Sequence, residues 1–414
     1  MTGQVSLARR LGVTDAVVIG LGSMLGAGVF VAFAPATRAA GGVGVLLGLA
    51  LAALVAFCNA LSSARLAARY PESGGTYVYG RERLGDRWGF LAGWAFVTGK
   101  TASCAAMALA IGAYAAPEYA RLVAVVAVVV LTAVNAGGIT KTARLTRILV
   151  IVTLGVLALV VAVGLGGGDP SLELSEPVTV AGVLQAAALL FFAFAGYARI
   201  ATLGEEVRDP ARTIPRAIPL ALGVVLVIYA VVGVTALAVL GPARLAGATA
   251  PLADVVAAAG VPALTGVARA GATVAVVGVL LALIAGVART VLAMARRGDL
   301  PRPLSTVDAR HQVPLRAELA VAAVVIALVS LGDLRTAIGF SSCTVLVYYA
   351  VTNASALTLD GSPRRQQVVA AVGFAGCLLL AASVPWQSLL AGVAVLVIGL
   401  AGREVRLRWR DRQA

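Results

Sequence analysis

The sequence predicts an all-α membrane protein with about twelve transmembrane helices. Of the 414 residues, 60% are hydrophobic and only 13% are charged, a balance that soluble globular domains do not have. Apolar stretches recur from one end of the chain to the other, and a helix needs roughly 20 such residues to cross a bilayer. The predicted spans are 14–36, 43–68, 88–115, 121–138, 145–167, 180–203, 216–240, 264–294, 315–332, 335–357, 367–384 and 386–402. Because nothing of domain size lies between them, we treat residues 1–414 as one polytopic membrane domain with short tails at 1–13 and 403–414.

The basic residues predict the orientation of these spans. The net charge is +14, with 33 lysines and arginines against 19 acidic residues. If both termini lie on one side, that side carries 25 of the 33 and the opposite side carries five. An excess of lysine and arginine marks the cytoplasmic side of a membrane. We therefore expect a multi-pass protein of the cytoplasmic (inner) cell membrane with both termini cytoplasmic, and the basic charge does not indicate a nucleic-acid partner.

Few residues in the spans could carry covalent or metal chemistry. All four cysteines, Cys58, Cys104, Cys343 and Cys377, fall inside predicted spans, where a cysteine usually acts as a small buried apolar residue. His311 is the only histidine, and it lies in a charged loop. We therefore expect no enzyme activity, no cofactor and no metal site.

The first span contains a glycine-rich segment, GLGSMLGAGVF at 20–30. Glycine is unexpected there, because it destabilises a helix interior by roughly 1 kcal/mol relative to alanine. A dinucleotide-binding loop is excluded, since no acidic residue follows about 20 positions later. Gly22 and Gly26 match the spacing by which paired membrane helices pack closely. We favour a discontinuous helix, whose backbone opens at mid-membrane to line a cavity, and keep close packing as the alternative.

A discontinuous first helix predicts a partner, and the sixth span contains a candidate. Gly196 interrupts this span between Phe194 and Tyr197. The sixth helix starts five spans after the first, so the two cross the membrane in opposite directions. Such a pair is typical of a five-plus-five inverted repeat with the ligand site between the two breaks. The last two helices lie outside this repeat.

Four segments, in chain order, match the pattern of one family. They are the glycine-rich segment at 20–30, YPESGGTYVYGRERLG at 70–85, FFAFAGYARIATLGEEVRDPARTIPRAI at 191–218 and ARTVLAMARRGDLP at 288–301. With these segments the chain resembles, over nearly its whole length, the amino acid–polyamine–organocation (APC) superfamily of permeases, which has the leucine-transporter-like fold. The resemblance implies a secondary active amino acid transporter that works by alternating access.

The resemblance also implies that the substrate-binding residues lie on the two breaks. They are Ser23, Met24, Gly26, Ala27, Gly28, Phe192, Phe194, Ala195 and Gly196. Backbone amides of residues 26–28, at the start of a half-helix, would bind the substrate carboxylate, and carbonyls near Met24 and Ala195 would bind its ammonium. Phe192 and Phe194 are candidates for a gate or pocket wall, with plain packing as the alternative. Many members have serine in the middle of the 26–28 triad where this chain has alanine, so carboxylate binding would depend on backbone groups.

The coupling ion is a separate question. Many sodium-independent members of the family carry a lysine on the fifth helix, but here Thr153 aligns with that position and the fifth span has no lysine. We expect sodium independence, because nothing in the sequence demands a sodium site; a site formed by Thr153 and backbone carbonyls is the alternative. Lys100 lies twelve residues beyond Trp88, about 18 Å along the third span and near mid-membrane. Lys100 and Thr153 are the coupling candidates, and Lys100 either binds a coupling proton or has a role in folding.

The charges within the spans indicate a substrate class. Lys100, Arg199 and Arg289 are all positive, and no Asp or Glu falls in the middle of a span. Because a buried cation needs a counter-charge, the pattern favours neutral amino acids, then anionic ones, over cationic ones. Arg199 and Arg289 either reach the cytoplasmic interface or join an ion network with nearby acidic residues such as Asp299. A direct role in substrate binding is the alternative, chiefly for Arg199.

A second class of function stays open at this point. It is a non-transporting membrane sensor or partner subunit that binds an amino acid. The sequence does not identify the amino acid, the oligomeric state, or the choice between uniport, proton symport and exchange.

Overall fold

The chain folds into a bundle of α-helices. The computed structural model describes residues 11–70, 74–138, 143–167, 171–172, 177–201, 207–308 and 310–411. The helices are α1 (Val13–Met24), α2 (Ala27–Val31), α3 (Phe33–Arg69), α4 (Thr76–Leu84), α5 (Asp86–Ala115), α6 (Ala120–Ala136), α7 (Ala143–Gly166), α8 (Val180–Phe194), α9 (Ala198–Ala201), α10 (Pro210–Gly247), α11 (Pro251–Ala258), α12 (Thr265–Arg296), α13 (Leu315–Leu331), α14 (Leu334–Leu357), α15 (Arg364–Ala382) and α16 (Trp386–Asp411). The described residues contain no β-strand, although an isolated backbone bridge joins Leu11 to Val207. The predicted all-α class is confirmed.

Eleven helical segments in the described part of the chain are long and apolar enough to cross a membrane. The remaining predicted span, 315–332, forms α13, which has 17 residues and lies at the lower limit for a spanning helix. Its two ends contact the two ends of α6. Before α13, His311 packs against Gly138, and near its end the Ser330 carbonyl accepts a hydrogen bond from Arg121. Because the segment Pro117–Ala136, which α6 completes, is long enough to cross the membrane, its antiparallel neighbour α13 crosses with it, which agrees with about twelve crossings.

Two glycines make sharp turns inside what are otherwise continuous helices. Gly41 has φ 71° within α3 and Gly241 has φ 69° within α10. Glycine adopts this left-handed region at little cost because it has no Cβ. The first predicted span therefore ends, and the second begins, at Gly41. Ala32 keeps helical angles between α2 and α3, so the second half of the first span runs from residue 27 to this turn.

Contacts between loops group the helix ends as the predicted topology requires. At one end Asp299 binds both Arg81 and Arg403, and Asp15 pairs with Arg147 at 2.5 Å. All five residues lie in, or next to, segments that the charge pattern assigns to the side of the termini. We call this the basic end of the bundle.

The opposite end, called the outer end below, shows the complementary grouping. Arg38 donates two hydrogen bonds to the carbonyl of Ala246. Arg269 donates to the carbonyls of Ala113 and Tyr114 at the end of α5. Arg38 and Arg269 are both among the five basic residues predicted for this side.

One predicted tail differs from the structure. Residues from 403 onward were expected to form a cytoplasmic tail, but α16 continues without interruption to Asp411. Arg403 is buried, because its guanidinium lies over the ring of Phe90 and binds Asp299. The last span therefore extends past the predicted membrane boundary and packs against the basic end. The N-terminal tail lies almost wholly outside the described residues.

The exterior of the bundle has the character of a lipid-facing surface. Large apolar side chains remain strongly exposed on several helices, including Leu122 on α6 (62%), Ile151 on α7 (67%) and Ile398 on α16 (67%). Such surfaces are costly in water and are the expected contact with lipid chains. All four cysteines are buried, as predicted, and all four are free thiols.

Candidate functional site

The first predicted break is present between α1 and α2. Leu25 (φ −76°, ψ 48°) and Gly26 (φ −107°, ψ −145°) leave the helical region. The Leu25 amide still donates to Leu21, and the Gly26 amide turns back to the Met24 carbonyl at 2.8 Å. The helix then restarts at Ala27, and its first amides have no acceptor within the helix. The amides of residues 27 and 28 belong to the set predicted to bind a substrate carboxylate, whereas the third predicted amide, that of Gly26, is taken by Met24.

The second predicted break takes a different form. Helix α8 ends at Phe194, and residues Ala195–Tyr197 form a single 3₁₀ turn before α9 begins at Ala198. A 3₁₀ turn is tighter than an α-helix and often marks a functional interruption. The interruption is thus centred on Gly196, as predicted, but the backbone there tightens into a 3₁₀ turn and does not unwind. Residues 202–206, which include Glu205 and Glu206, lie outside the described part of the chain.

The two breaks lie against each other. A Cβ at Gly196 would overlap the carbonyl of Ser23, and a Cβ at Gly28 would lie 2.5 Å from the Cα of Ala193. The half before the first break therefore contacts the second break, and the half after it contacts α8. Only antiparallel helices can make this pair of contacts. The structure thus brings the predicted site residues of both helices together.

Both interpretations of the glycines in the first span, close helix packing and a helix break, apply, but to different glycines. Gly20 packs against Ile200 on α9, and Gly22 lies 3.0 Å from Thr146 on α7, measured from the position its Cβ would occupy. Gly26 is similarly bounded, at 3.1 Å, by the side chain of Val279 on α12. Close packing therefore explains Gly20 and Gly22, which lie within the regular part of α1. The break itself begins at Leu25.

Tyr229 on α10 joins the two breaks. Its hydroxyl lies 2.6 Å from the carbonyl oxygen of Met24 and 3.0 Å from that of Ala193. One hydroxyl hydrogen is shared between two carbonyls that belong to different broken helices. Sequence analysis missed this residue, because a tyrosine in an apolar span has no motif. The only available signal was that a buried hydroxyl needs a partner.

Lys100 reaches the second break from α5. Its side chain is buried, with 8% exposure, and its Nζ donates to the carbonyl of Ala195 at 3.2 Å. The hydroxyl of Tyr349 on α14 lies 3.4 Å from the same oxygen. A carbonyl oxygen has two lone pairs, so both acceptor positions of Ala195 face protein donors. This carbonyl is one of those that the sequence analysis assigned to the substrate ammonium.

The aromatic residues around the second break divide into two groups. Phe194 is fully buried, and its ring contacts Tyr229 at a centroid distance of 5.2 Å. Phe191, which the sequence analysis did not select, meets Tyr349 edge to face at 5.7 Å. Phe192 keeps 7% of its surface exposed. The packing interpretation therefore fits Phe194, while Phe192 stays a candidate for the pocket wall.

The other residues of the predicted site make local contacts. The Ser23 hydroxyl donates to Ile19 at 2.9 Å, one turn earlier in α1. Thr153 is buried on α7 with 3% exposure, and its hydroxyl donates to Leu149 at 2.8 Å. No hydrogen bond found among the described residues joins Thr153 to either break. Its proposed part in coupling therefore has no contact to support it.

The charged groups at the basic end form a compact network centred on Asp299. Its Oδ2 accepts from Tyr77 at 2.6 Å and from Arg81 at 2.8 Å, and its Oδ1 accepts from Arg403 at 3.0 Å. Burial, together with the bond to Asp299, raises the pKa of the Tyr77 hydroxyl. The network thus joins α4, the end of α12 and the end of α16. Asp299 therefore pairs with Arg81 and Arg403. From the sequence, Asp299 was a candidate partner of Arg199 and Arg289.

A cavity of about 470 Å³ lies at the outer end, away from the breaks. Its lining includes Gln185 on α8, Arg335 on α14 and Trp386 on α16. Gln185 lies ten residues before Ala195, or about 15 Å along α8. The two helices that line the cavity, α8 and α14, also carry Ala195 and Tyr349 further into the bundle.

Comparison with known proteins places the chain in a family. A family model described as amino acid permease matches residues 11–401. An uncharacterized transporter of Mycobacterium tuberculosis is 63% identical over 406 residues, which cover 97% of this chain and 92% of that protein. A branched-chain amino acid permease of Bacillus subtilis is 29% identical, covering 96% of this chain and 93% of that protein. Cationic amino acid transporter 4 of Homo sapiens is 27% identical over 86% of this chain and 61% of its own length. The chain therefore belongs to the amino acid permease family, within the APC superfamily.

Proposed function

We propose that this permease is a secondary active transporter of neutral amino acids that works by alternating access and does not depend on sodium. The observation that carries the proposal is the antiparallel contact of two interrupted helices at Ser23 and Gly196. Irregular backbone at membrane depth is tolerated only where protein or a ligand satisfies it. In transporters of this kind, such breaks hold the substrate while the helices around them rock.

The ends of an amino acid suit the groups present at the breaks. The substrate carboxylate would bind the first amides of the half-helix that starts at Ala27, where the helix dipole favours an anion. The ammonium would bind the carbonyl of Ala195 at the end of α8, since the Met24 carbonyl at the end of α1 already accepts from Tyr229 and from the Gly26 amide. Both ends would thus be recognised by backbone, which leaves Phe192 to contact the substrate side chain.

The charge around the breaks favours a neutral side chain. Lys100 is buried beside the second break, and helices α2, α8, α12 and α14 contain no Asp or Glu. A cationic side chain would be repelled by Lys100 and would find no counter-charge there. The name of the Bacillus subtilis relative, a branched-chain amino acid permease, agrees with a neutral substrate, whereas that of the human relative specifies cationic ones.

Lys100 is also the proposed site of proton coupling. Its amine is buried next to the Ala195 carbonyl, the proposed ligand of the substrate ammonium. It can gain and lose one proton in each transport cycle. Of the two coupling candidates, Lys100 contacts a break, whereas the Thr153 hydroxyl donates to Leu149 in its own helix. The permease would lie in the cytoplasmic membrane with the basic end, and so both termini, in the cytoplasm.

Transport in proteoliposomes tests the proposal. Purified protein is reconstituted, and uptake of each of the twenty radiolabelled protein amino acids is measured with and without sodium and proton gradients. We expect uptake of a neutral amino acid that responds to the proton gradient and is unchanged when choline replaces sodium. Binding of an amino acid without uptake would instead support a sensor or partner subunit. A requirement for sodium would contradict the coupling part of the proposal.

A further inference from the structure

Two cations, the Lys100 ammonium and the substrate ammonium, would compete for the Ala195 carbonyl. In the structure the Lys100 Nζ donates to it at 3.2 Å. In the proposed function, the substrate ammonium binds the same oxygen and takes the place of the Lys100 ammonium there. The Met24 and Ala193 carbonyls accept from Tyr229, and Ser23 O is covered by Gly196. The second lone pair of Ala195 faces the Tyr349 hydroxyl, 3.4 Å away.

The surroundings of Lys100 offer its charge little compensation. The titratable groups near it are Cys104, one turn further along α5, and Tyr349, whose hydroxyl lies near the Ala195 carbonyl and whose ring stacks on that of Tyr197. Helix α5 also packs against α2, α4, α6, α12, α13, α14 and α16, and against the turn Pro117–Tyr119 that follows it. Of these, α4, the turn, α13 and α16 carry acidic residues, but no ion pair within the described part of the chain involves Lys100. A second cation at the same carbonyl would be strongly repelled by the protonated Lys100, because few negative charges nearby offset the repulsion between the two cations.

We propose that protonated Lys100 and the substrate ammonium exclude each other at the Ala195 carbonyl, so that each amino acid that binds displaces one proton from Lys100. This inference rests on the proposed function and gives the coupling a sign. When an amino acid enters, the Lys100 ammonium loses one proton to the water on the open side and becomes a neutral amine. When the amino acid leaves, the amine takes up one proton from the side then exposed. The permease therefore exchanges amino acid for protons, and does not carry both in the same direction.

The sign of the coupling decides the direction in which a proton gradient drives the amino acid. With an inward proton gradient, exchange opposes uptake and favours movement of the amino acid out of the cell. A proton symporter with the same residues would show the opposite response. Thermodynamic linkage requires the same relation at equilibrium, because a ligand that releases a proton must bind more weakly as the pH falls.

Proton release on binding tests the inference without any transport. The tightest binder among the twenty amino acids is added to purified wild-type protein in weakly buffered solution with a pH-indicator dye, between about pH 5 and pH 8. We expect release of up to one proton per amino acid bound, and a Kd that rises by up to about tenfold for each pH unit lost. The hydroxy acid analogue of that amino acid, which has no ammonium, should release none.

Substitutions at the two lysines of the chain, Lys100 and Lys141, provide matched controls. Lys100→Met should bind more tightly than the wild type at low pH, with no pH dependence and no proton release. Lys100→Arg keeps a permanent charge and should bind weakly at every pH. Lys141→Met should behave like the wild type.

The outcomes separate the two proposals. Failure of all twenty amino acids to bind the wild type would overturn the proposed function. Binding with proton uptake, with no proton exchange, or with an unchanged pH slope in Lys100→Met would overturn only the inference. If Lys100→Met does not fold, the sign of proton movement in the wild type and the affinity of Lys100→Arg still decide.

Discussion

Gly28 lies directly against Ala193, so that a Cβ at Gly28 would be 2.5 Å from both the Cα and the Cβ of Ala193. The atom in the way belongs to the backbone of α8, which cannot rotate aside as a side chain can. This contact holds the second half of the first span against the first half of the sixth. It fixes how far apart the two breaks lie.

Gly28→Ala should therefore separate the broken helices. We expect a loss of about 1–3 kcal/mol, typical of overpacking, and a large fall in amino acid binding. Gly155→Ala on α7 is the matched control, because a Cβ there meets no atom within 4 Å. Thermal unfolding in detergent and equilibrium binding are measured for both. Normal binding by Gly28→Ala would show that the spacing of the breaks is not important.

Gly26 allows packing and substrate binding to be separated. A Cβ at Gly26 would lie 3.1 Å from Val279, so Gly26→Ala should be destabilised by this neighbour. The double variant Gly26→Ala, Val279→Ala removes both Cγ contacts and leaves only the Cβ of residue 279, at 3.2 Å, so most of the clash is relieved. If the open backbone at Gly26 binds the carboxylate, the double variant should regain thermal stability but still bind at least tenfold more weakly than Val279→Ala alone. Full recovery of binding would mean that Gly26 serves only packing.

Tyr229→Phe should loosen the connection between the breaks. The substitution removes the hydroxyl that bonds to the carbonyls of Met24 and Ala193, at an expected cost of about 1 kcal/mol. Because both carbonyls lie at the site, substrate affinity should change as well as stability. Tyr119→Phe is the control, since Tyr119 is 64% exposed. Equal effects of the two substitutions on binding would contradict a role for Tyr229 at the site.

The sequence predicts the path of the chain better than the details of the site. Helix length and the positions of Gly196 and Lys100 follow from counting residues, because the rise per residue of a helix is constant. The depth of Lys100 was thus predictable from its distance to Trp88. Its acceptor was not, since the direction of the side chain depends on how α5 packs against the 3₁₀ turn at Ala195.

Two kinds of error have physical causes. The sequence analysis expected the second break to open, but a glycine permits a tight turn as readily as an unwound one, and packing against Ser23 selects the turn. It also ended the last span at residue 402, where the basic residues begin. Arg403 is nevertheless buried, because Asp299 and the Phe90 ring compensate its charge.

Two loop positions test the orientation of the bundle. In a cysteine-free variant, a single cysteine at Thr249 on the outer end should react with an impermeant maleimide added to intact cells. A cysteine at Asp360 should react only after the membrane is permeabilised. Asp360 is well suited to this test, because its side chain is 97% exposed and its loop joins α14 to α15. Labelling of the Asp360→Cys variant from outside would contradict the predicted topology.

The buried network at Asp299 gives the last prediction. Asp299→Asn removes the counter-charge of Arg403, whose side chain is 8% exposed, and one of the two carboxylates that pair with Arg81, which keeps Asp86. Leaving buried charges unpaired typically costs about 3–5 kcal/mol, so the melting temperature should fall strongly. Asp360→Asn, which affects an exposed ion pair with Arg83, should have almost no effect. Adding Arg403→Gln to Asp299→Asn should recover part of the loss, because one unpaired charge is then gone. If Asp299→Asn and Asp360→Asn melt at the same temperature, the network does not hold α16 to the basic end.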